Sequence, residues 1–250
     1  MNIRQKIKER SLALAKDISV TDVRIGLGYT TVLLDNGQAG VAYTFHRELT
    51  GGCNVFKGLR PLAGRQASEL LGLFDSTDMI ESAVALAASN ALSNTPKEWA
   101  LEGDALEHLK LHPDDRVGMV GYFAPLIPLL KKRAKSLKIF EQVEYQNENL
   151  LPEQDAIREL PHCQVALVTS TSILNHTIDA ILDATRSCRD VVMLGASTPL
   201  IPDVFTDTPV TMLSGVVVTR PGEIIRIVSE GGGMRFFKNN IRKVNIRLKS

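Results

Sequence analysis

Residues 163–198 read CQVALVTSTSILNHTIDAILDATRSCRDVVMLGAST. Two apolar runs, at 165–168 and 191–194, enclose a segment at 175–188 whose apolar residues have helical spacing. Strands that are apolar without alternation are typical of a sheet covered on both faces, and parallel strands need a long crossover between them. This stretch therefore predicts a strand–helix–strand unit of a doubly wound parallel sheet.

The same pattern continues on both sides of this unit. Further candidate strands are 116–123, 138–144, 215–219 and 224–232. The last segment, 235–250, carries apolar residues at helical spacing and basic residues between them, which predicts an amphipathic helix. Such a helix packs on the protein or on a second subunit, so a homodimer is a reasonable expectation. Residues 116–250 are thus predicted to form a Rossmann-like α/β domain with a C-terminal amphipathic helix.

The first hundred residues have a different organisation. Two β-rich runs flank Asp35-Asn36-Gly37, a strong hairpin signal. Helical patterns cover about the first 18 residues, 66–74 and 78–92. We therefore expect an α+β domain over 1–100, and we interpret the polar, proline-flanked segment 101–115 as a linker in a two-domain protein.

The composition is that of a soluble globular protein, with 44% hydrophobic residues, 23% charged residues and a net charge of +1. This balance gives no indication of nucleic-acid binding, and no apolar run is long enough to span a membrane. The N-terminus lacks the apolar core of a signal peptide, so the expected location is cytoplasmic. Three cysteines without a CxxC spacing disfavour both a disulfide framework and a cysteine-only zinc site. Cys53 follows two glycines, which have no side chains to cover its sulfur, so it is the candidate accessible thiol.

Ligands of open parallel sheets bind beyond the carboxyl ends of the strands. Small, hydroxyl-bearing or polar residues follow those ends here, and such turns expose backbone N–H groups to a polar ligand. The same residue types are also ordinary helix caps, so both interpretations stay open. The candidate ligand-binding residues are Gly121, Phe123, Pro125, Glu141, Thr169, Asn175, Thr177, Gly195, Ser197, Thr198 and Pro199.

Two acidic residues are candidate acid/base groups. Glu141 ends the second strand, and Glu48 stands beside Thr50-Gly51-Gly52 in the first domain, from which it could face a cleft. His46 and Glu48 are the candidate metal ligands. Ordinary NAD binding is disfavoured because the G-x-G-x-x-G pattern is absent, and serine hydrolase chemistry because the G-x-S-x-G elbow is absent.

Several motifs occur together in the order of a known family: VGYFAPLIP at 120–128, TSTSILNHT at 169–177, GASTPLIP at 195–202 and GVVVTRPGEIIRIVSEGGG at 215–233. The chain resembles the "putative heavy-metal chelation" domain family, in which the Rossmann-like part follows an enolase-N-terminal-like domain of unknown function. The resemblance implies a site between the two domains, built from the candidate residues above with Glu48 facing them. It also implies a role in binding or delivering a metal or metallocofactor.

Two function classes follow. The first is binding or delivery of a metal complex, a metallocofactor or a small oxygen-rich anionic ligand, since hydroxyls and amides suit such ligands better than a bare soft metal. The cofactor expected is a metal ion or a metal chelate. The alternative is an enzyme acting on a nucleotide-like or cofactor-precursor ligand, with Glu48 or Glu141 as acid/base. A third interpretation is a scaffolding role, in which the polar residues after the strands only cap helices and bind no ligand.

Overall fold

The computed structural model describes residues 1–45, 56, 58, 60–142 and 150–248. His46, Glu48 and Cys53, which the sequence singles out, lie outside the described residues. Within the described ranges, no helix combines the length and the apolar character that crossing a bilayer requires.

The first part of the chain forms a small antiparallel sheet covered by helices. Its elements are α1 (Ile3–Leu14), β1 (Val20–Ile25), β2 (Tyr29–Leu34), β3 (Ala39–Tyr43), α2 (Ala67–Leu71) and α3 (Met79–Ser93). The strands lie in the order β1-β2-β3. The turn from β2 to β3 passes through Gly37, whose φ of 80° is readily adopted by glycine. The predicted hairpin is confirmed.

Helix α3 packs directly on the small sheet. It begins after Asp78, whose carboxylate accepts hydrogen bonds from the backbone N–H groups of Ile80 and Glu81 at 2.8 and 3.0 Å. A Cβ atom on Gly40 of β3 would lie 2.1 Å from the backbone nitrogen of Ala91 in α3. Only glycine therefore allows the strand and the helix to approach this closely.

The second part of the chain forms the larger sheet. Its elements are β4 (Leu101–Glu102), β5 (Arg116–Val120), α4 (Ile127–Arg133), β6 (Ser136–Glu141), β7 (Leu150–Pro152), α5 (Ala156–Glu159), β8 (Val165–Thr169), α6 (Ile178–Ala184), β9 (Asp190–Leu194), β10 (Met212–Val218), α7 (Pro221–Ser229), α8 (Met234–Phe237) and β11 (Ile241–Arg247). Among the described residues these strands make one eight-stranded sheet in the order β4-β11-β10-β9-β8-β5-β6-β7. From β10 to β7 every neighbouring pair is parallel, which confirms the predicted α/β fold.

The predicted C-terminal amphipathic helix is wrong. Most of that segment is strand β11, which pairs antiparallel with β10 from Met212 opposite Arg247 to Val218 opposite Ile241. The edge of β10 offers unpaired backbone groups, and a ladder of hydrogen bonds to them outweighs the helical spacing of the apolar side chains.

The candidate strand at 224–232 is also wrong, because most of it belongs to helix α7. Pro221 stands at the start of this helix, where its missing N–H costs nothing. Ile224 and Val228 are one turn apart, and both are fully buried. A short apolar run does not by itself distinguish a buried strand from a buried helix.

The segment predicted as a linker belongs structurally to the larger sheet. Strand β4 pairs with β11 at the sheet edge. Ala105, Leu106 and Leu109 are buried in a cluster with Val117 and Met119 of β5. The segment thus extends the second part of the chain, because its scattered apolar residues face the sheet. A domain division near residue 100 stays a prediction.

A continuous cluster of buried side chains joins the two parts of the chain. It includes Ile7 and Leu70 from the first part, and Phe140 and Phe205 from the second. Since the two parts share this core, the cleft between them has walls fixed by packing.

Candidate functional site

A cleft of about 640 Å³ opens at the carboxyl edge of the larger sheet, beside the small sheet. We call it the acidic cleft. Its lining residues come from β3, from the ends of β5 to β8 and from the turns that follow them. They are Tyr43, Phe45, Val120, Gly121, Tyr122, Phe123, Phe140, Glu141, Gln142, Leu150, Glu153, Thr169, Thr171 and Asn175.

Gly121 brings two strand ends together at the base of this cleft. Its φ is 91°, and a Cβ atom at this position would lie 2.8 Å from the Cβ atom of Thr169. The backbone N–H of Gly121 donates to the carbonyl of Phe140 in the neighbouring strand at 2.8 Å. The glycine therefore permits β5, β6 and β8 to end side by side.

Two carboxylates stand at the ends of neighbouring strands. Glu141 is the last residue of β6, and Glu153 directly follows Pro152, the last residue of β7 and the register partner of Glu141. Gln142 contacts both carboxylates. Its backbone N–H donates to Oε1 of Glu141 at 2.9 Å, and its side-chain amide donates to Oε2 of Glu153 at 2.7 Å.

The predicted residues Asn175 and Thr177 also converge on Glu153. The amide Nδ2 of Asn175 donates to Oε1 of Glu153 at 3.3 Å, and the Thr177 hydroxyl lies 3.5 Å from the same oxygen. That hydroxyl also donates to Oδ1 of Asn175 at 2.8 Å. The turn after β8 and the end of β7 thus form one polar network.

Sequence reasoning missed Glu153. The strand before it, β7, has only three residues, and one of them is proline. The available signal was the apolar pair Leu150-Leu151 followed shortly by an acid, the arrangement that identified Glu141 at the end of β6.

Hydroxyls and aromatic rings complete the walls of the cleft. The Thr169 and Thr171 hydroxyls lie 2.9 Å apart. The Tyr43 and Phe45 rings pack edge to face, with centroids 5.1 Å apart. Tyr122 is 57% exposed, an unusual position for a large aromatic side chain that suits contact with a ligand.

The predicted ligand-binding residues Ser197, Thr198 and Pro199 are buried in the turn after β9, and they do not line the acidic cleft. Ser197 Oγ accepts a hydrogen bond from the backbone N–H of Tyr43 at 2.8 Å. Asn94 of the segment after α3 donates to the Thr198 carbonyl at 2.9 Å. This turn holds the small sheet and α3 against the larger sheet, which is why small hydroxyl residues and a proline end strand β9.

The predicted residues Pro125 and Gly195 line a second cavity of about 380 Å³, which we call the inner cavity. It shares Tyr122 and Phe123 with the acidic cleft, so these two side chains stand between the cavities.

A third cavity of about 580 Å³ lies on the other side of Glu141, Gln142 and Glu153, and it is also lined by Thr177 and His176. His176 Nε2 lies 3.0 Å from Nη1 of Arg4. Arginine can only donate, so the imidazole accepts this hydrogen bond in its neutral form. Burial, and then the charge of Arg4, lower the pKa of His176.

The side chains of the acidic cleft that could bind a metal ion would do so through oxygen atoms. Among the described residues, no group of three or more His, Cys, Asp and Glu side chains is arranged to hold a metal ion. The acidic cleft instead offers two carboxylates, two amides and hydroxyls. These are hard ligands, which suit cations such as Mg²⁺, Ca²⁺ and Mn²⁺, and a given site of this kind binds Ni²⁺ more tightly than Mn²⁺.

Two family models match the chain. One, DUF364, matches residues 104–247, and the other, DUF4213, matches residues 8–93; both carry the description "Putative heavy-metal chelation". An uncharacterized protein of Methanocaldococcus jannaschii is 26% identical over 255 residues, which cover 98% of this chain and 97% of that protein. The enolase-N-terminal-like relation of the first part stays a prediction.

The fold is similar to that of two crystal structures of DUF364-family proteins with unknown function. The protein from Pyrococcus horikoshii superposes with a TM-score of 0.87 at 25% identity, covering 98% of this chain and 100% of that chain. The protein from Desulfitobacterium hafniense DCB-2 superposes with a TM-score of 0.78 at 24% identity, covering 97% of this chain and 98% of that chain. At this identity the similarity supports a shared fold and nothing about function. Because the DUF364 model spans more than half of the chain, this protein belongs to that family, whose description reads "Putative heavy-metal chelation".

Proposed function

We propose that the acidic cleft binds a metal ion that arrives in an organic chelate. The observation that carries this proposal is the pair of carboxylates, Glu141 and Glu153, both hydrogen-bonded to Gln142 at the ends of neighbouring strands. The hydroxyls of Thr169 and Thr171 add neutral oxygen donors to the same cleft.

The charge of the lining favours a cationic ligand. Every charged side chain among the described residues that line the acidic cleft is a carboxylate. A free organic anion would be repelled by this lining, since like charges in a partly enclosed site disfavour binding. The small anionic ligand is therefore the less favoured of the ligands that the sequence suggests.

The small number of protein ligands in the acidic cleft favours a metal chelate over a bare metal ion. The described residues do not form a cluster that could enclose a metal ion, so an ion would keep ligands of its own. The rings of Tyr43, Phe45 and Phe123 offer an apolar wall beside the carboxylates. A metal bound to an organic molecule matches both features at once.

His46 and Glu48 remain predicted metal ligands. The described chain reaches the cleft wall at Phe45, directly before His46. We expect Glu48→Gln to lower metal affinity, and an unchanged affinity would show that Glu48 is not a metal ligand.

Calorimetry with two nickel chelates of opposite charge tests the proposal. The one-to-one Ni²⁺ complex of ethylenediamine is cationic, and that of citrate is anionic. We expect the cationic complex to bind at least about tenfold more tightly, since charge-assisted contacts of this kind contribute more than 1 kcal/mol. The variant with both Glu141→Gln and Glu153→Gln should lose this preference.

The matched control is Glu9→Gln, which makes the same chemical change on an exposed face of α1. It should bind both complexes like the wild type. If the wild type binds neither complex, or if the double variant binds the cationic complex unchanged, the proposal is wrong. Turnover of a nucleotide or cofactor precursor that is lost in Glu141→Gln would favour the enzyme alternative.

A further inference from the structure

The inner cavity is large enough for a ligand of its own. Its volume of about 380 Å³ is within the range of small-molecule sites, and the proposed metal site does not use it. Aliphatic side chains line it from β9 and the turn after it, from β10 and from α8: Leu194, Ala196, Val216 and Met234. Ala196 and Val216 are buried in one cluster with Phe237, and Met234 packs against that cluster. Packing therefore fixes this apolar wall.

The cavity offers no free charge to a ligand. Among the described residues that line it, the charged side chains are Asp104 and Lys243, and these two form an ion pair with each other. About half of each side chain is exposed, which places the pair where the cavity meets solvent. A charged ligand group in the apolar part would lose its hydration without gaining a partner. The lining therefore selects an uncharged ligand.

The cavity also offers hydroxyl groups that no protein group satisfies. Tyr29 and Ser214 both line it, and within the described chain neither side chain makes a hydrogen bond, nor is either oxygen fully enclosed. Tyr122 carries a third hydroxyl, but this side chain is 57% exposed and water can reach it. Burial, and then the neighbouring Tyr43, raise the pKa of Tyr29, so its phenol stays protonated and able to donate. A ligand with a hydrogen-bond acceptor would pair with this donor.

Packing holds the Tyr29 ring in one position. Its centroid lies 5.0 Å from that of Phe237 and 5.8 Å from that of Tyr43, both in edge-to-face contact. A Cβ atom on Gly233 would lie 3.3 Å from two atoms of the ring, so the backbone before α8 also approaches it closely. A donor that is fixed before the ligand arrives loses less entropy on binding than a mobile one. Tyr29 is therefore the group that we expect to orient the ligand.

We propose that the inner cavity is a second ligand site, for an uncharged and largely apolar small molecule that carries a hydrogen-bond acceptor such as a carbonyl oxygen. The aliphatic wall selects the apolar body, the lack of a free charge selects neutrality, and Tyr29 selects the acceptor. This inference goes beyond the proposed function, because it needs neither a metal nor the carboxylates of Glu141 and Glu153.

Three probes of nearly the same shape test these properties. Acetophenone is uncharged and has a carbonyl acceptor, α-methylstyrene has a methylene group in place of that oxygen, and benzoate is an anion. In NMR titrations, the methyl resonance of Met234 reports binding in the inner cavity, and that of Met79, at the start of α3, is the control resonance.

The wild type should distinguish all three probes. We expect acetophenone to bind about fivefold more tightly than α-methylstyrene, because one neutral hydrogen bond contributes a difference of this order. We expect benzoate to bind at least about tenfold more weakly than acetophenone, because its charge would be desolvated without a partner.

Two variants place the binding in the inner cavity. Tyr29→Phe removes the hydroxyl and keeps the ring, so it should bind acetophenone and α-methylstyrene equally, with the affinity for α-methylstyrene as in the wild type. Ser214→Leu places a larger side chain in the cavity and should weaken both uncharged probes at least about tenfold. Ser68→Leu, on an exposed face of α2, is the matched control and should bind like the wild type.

Several results would overturn the inference. One is a Met234 resonance that acetophenone does not move, since the cavity would then hold no such ligand. Others are equal binding of acetophenone and α-methylstyrene by the wild type, a preference for acetophenone that survives in Tyr29→Phe, or benzoate bound as tightly as acetophenone. None of the probes contains a metal, so these results leave the proposed function untouched, and a failure to bind nickel complexes would leave this inference untouched.

Discussion

At the scale of single residues, Gly121 sets how closely β5 approaches β8 at the base of the acidic cleft. Gly121→Ala adds a Cβ atom 2.8 Å from that of Thr169, at a φ of 91°. We expect a loss of about 3 kcal/mol in unfolding free energy, from backbone strain and overlap together. Urea unfolding measures the loss, and calorimetry should show weaker binding of the Ni²⁺–ethylenediamine complex.

Gly64→Ala is the control for backbone strain alone. Gly64 has a φ of 84° and nothing within 4 Å of an added Cβ atom. The Gly64→Ala substitution should lower the unfolding free energy by about 1–2 kcal/mol and leave binding of the Ni²⁺–ethylenediamine complex unchanged. Equal losses of stability and of binding in both variants would show that the contact with Thr169 is unimportant.

His176 gives folding stability a dependence on pH. Its folded pKa lies below the usual 6.5, because burial and Arg4 disfavour the imidazolium. As the pH falls below 6.5, the imidazole of the unfolded chain takes up a proton before that of the folded chain. The contribution of His176 to the unfolding free energy is therefore fully present above this pH and is lost below it. The unfolding free energy of the wild type should therefore fall more between pH 7.5 and about 5.5 than that of His176→Gln. Parallel pH profiles for the two proteins would contradict this.

The residues of the site were only partly predictable. Gly121, Glu141, Thr169 and Asn175 could be identified because each stands at or after the carboxyl end of a recognisable strand. Ser197 has the same pattern, yet it faces the small sheet, and a single sequence does not show which side of a turn is covered. Glu153 was missed because its strand is too short to produce a periodic signal.

At the scale of elements, α3 depends on its N-terminal cap. Asp78→Ala removes both hydrogen bonds to the first turn and should lower the unfolding free energy by about 1 kcal/mol. Asp114→Ala removes an exposed carboxylate outside any helix and should have little effect. Equal denaturation midpoints for the two variants would contradict the capping role.

Elements with strong local signals were predictable, and those that depend on partners were not. The hairpin at Asp35-Asn36-Gly37 and the strand–helix–strand unit carry turn, cap and periodicity signals in their own residues. Strand β11 forms because the edge of β10 is available to it, and a neighbour distant in sequence leaves no local signal. Strand β4 is a similar case, since two residues pair with β11 at the sheet edge.

At the scale of the whole molecule, Arg4 joins the two parts of the chain. This buried guanidinium donates to the carbonyls of Phe74, Ser76 and Ile173 and to the Ser82 hydroxyl, at 2.6 to 3.3 Å. Arg4→Met leaves these acceptors without a donor and should cost about 2–3 kcal/mol of unfolding free energy. Arg10→Met, on the same helix but largely exposed, is the control and should cost little. Similar thermal midpoints for the two variants would show that Arg4 does not join the two parts.

The Arg4 contacts also bear on the site. Ile173 and His176 belong to the turn that carries Asn175 and Thr177 into the polar network around Glu153. The first part of the chain thus supports the acidic cleft through this buried side chain as well as through Tyr43 and Phe45.

The most direct test of the account is an anomalous diffraction map at the nickel edge, from crystals soaked in the Ni²⁺–ethylenediamine complex. We expect one strong peak in the acidic cleft, at coordination distance from Glu141 or Glu153. A well-ordered cleft without a peak, or a peak confined to cysteine or histidine side chains elsewhere, would contradict the claim that this cleft binds a metal complex.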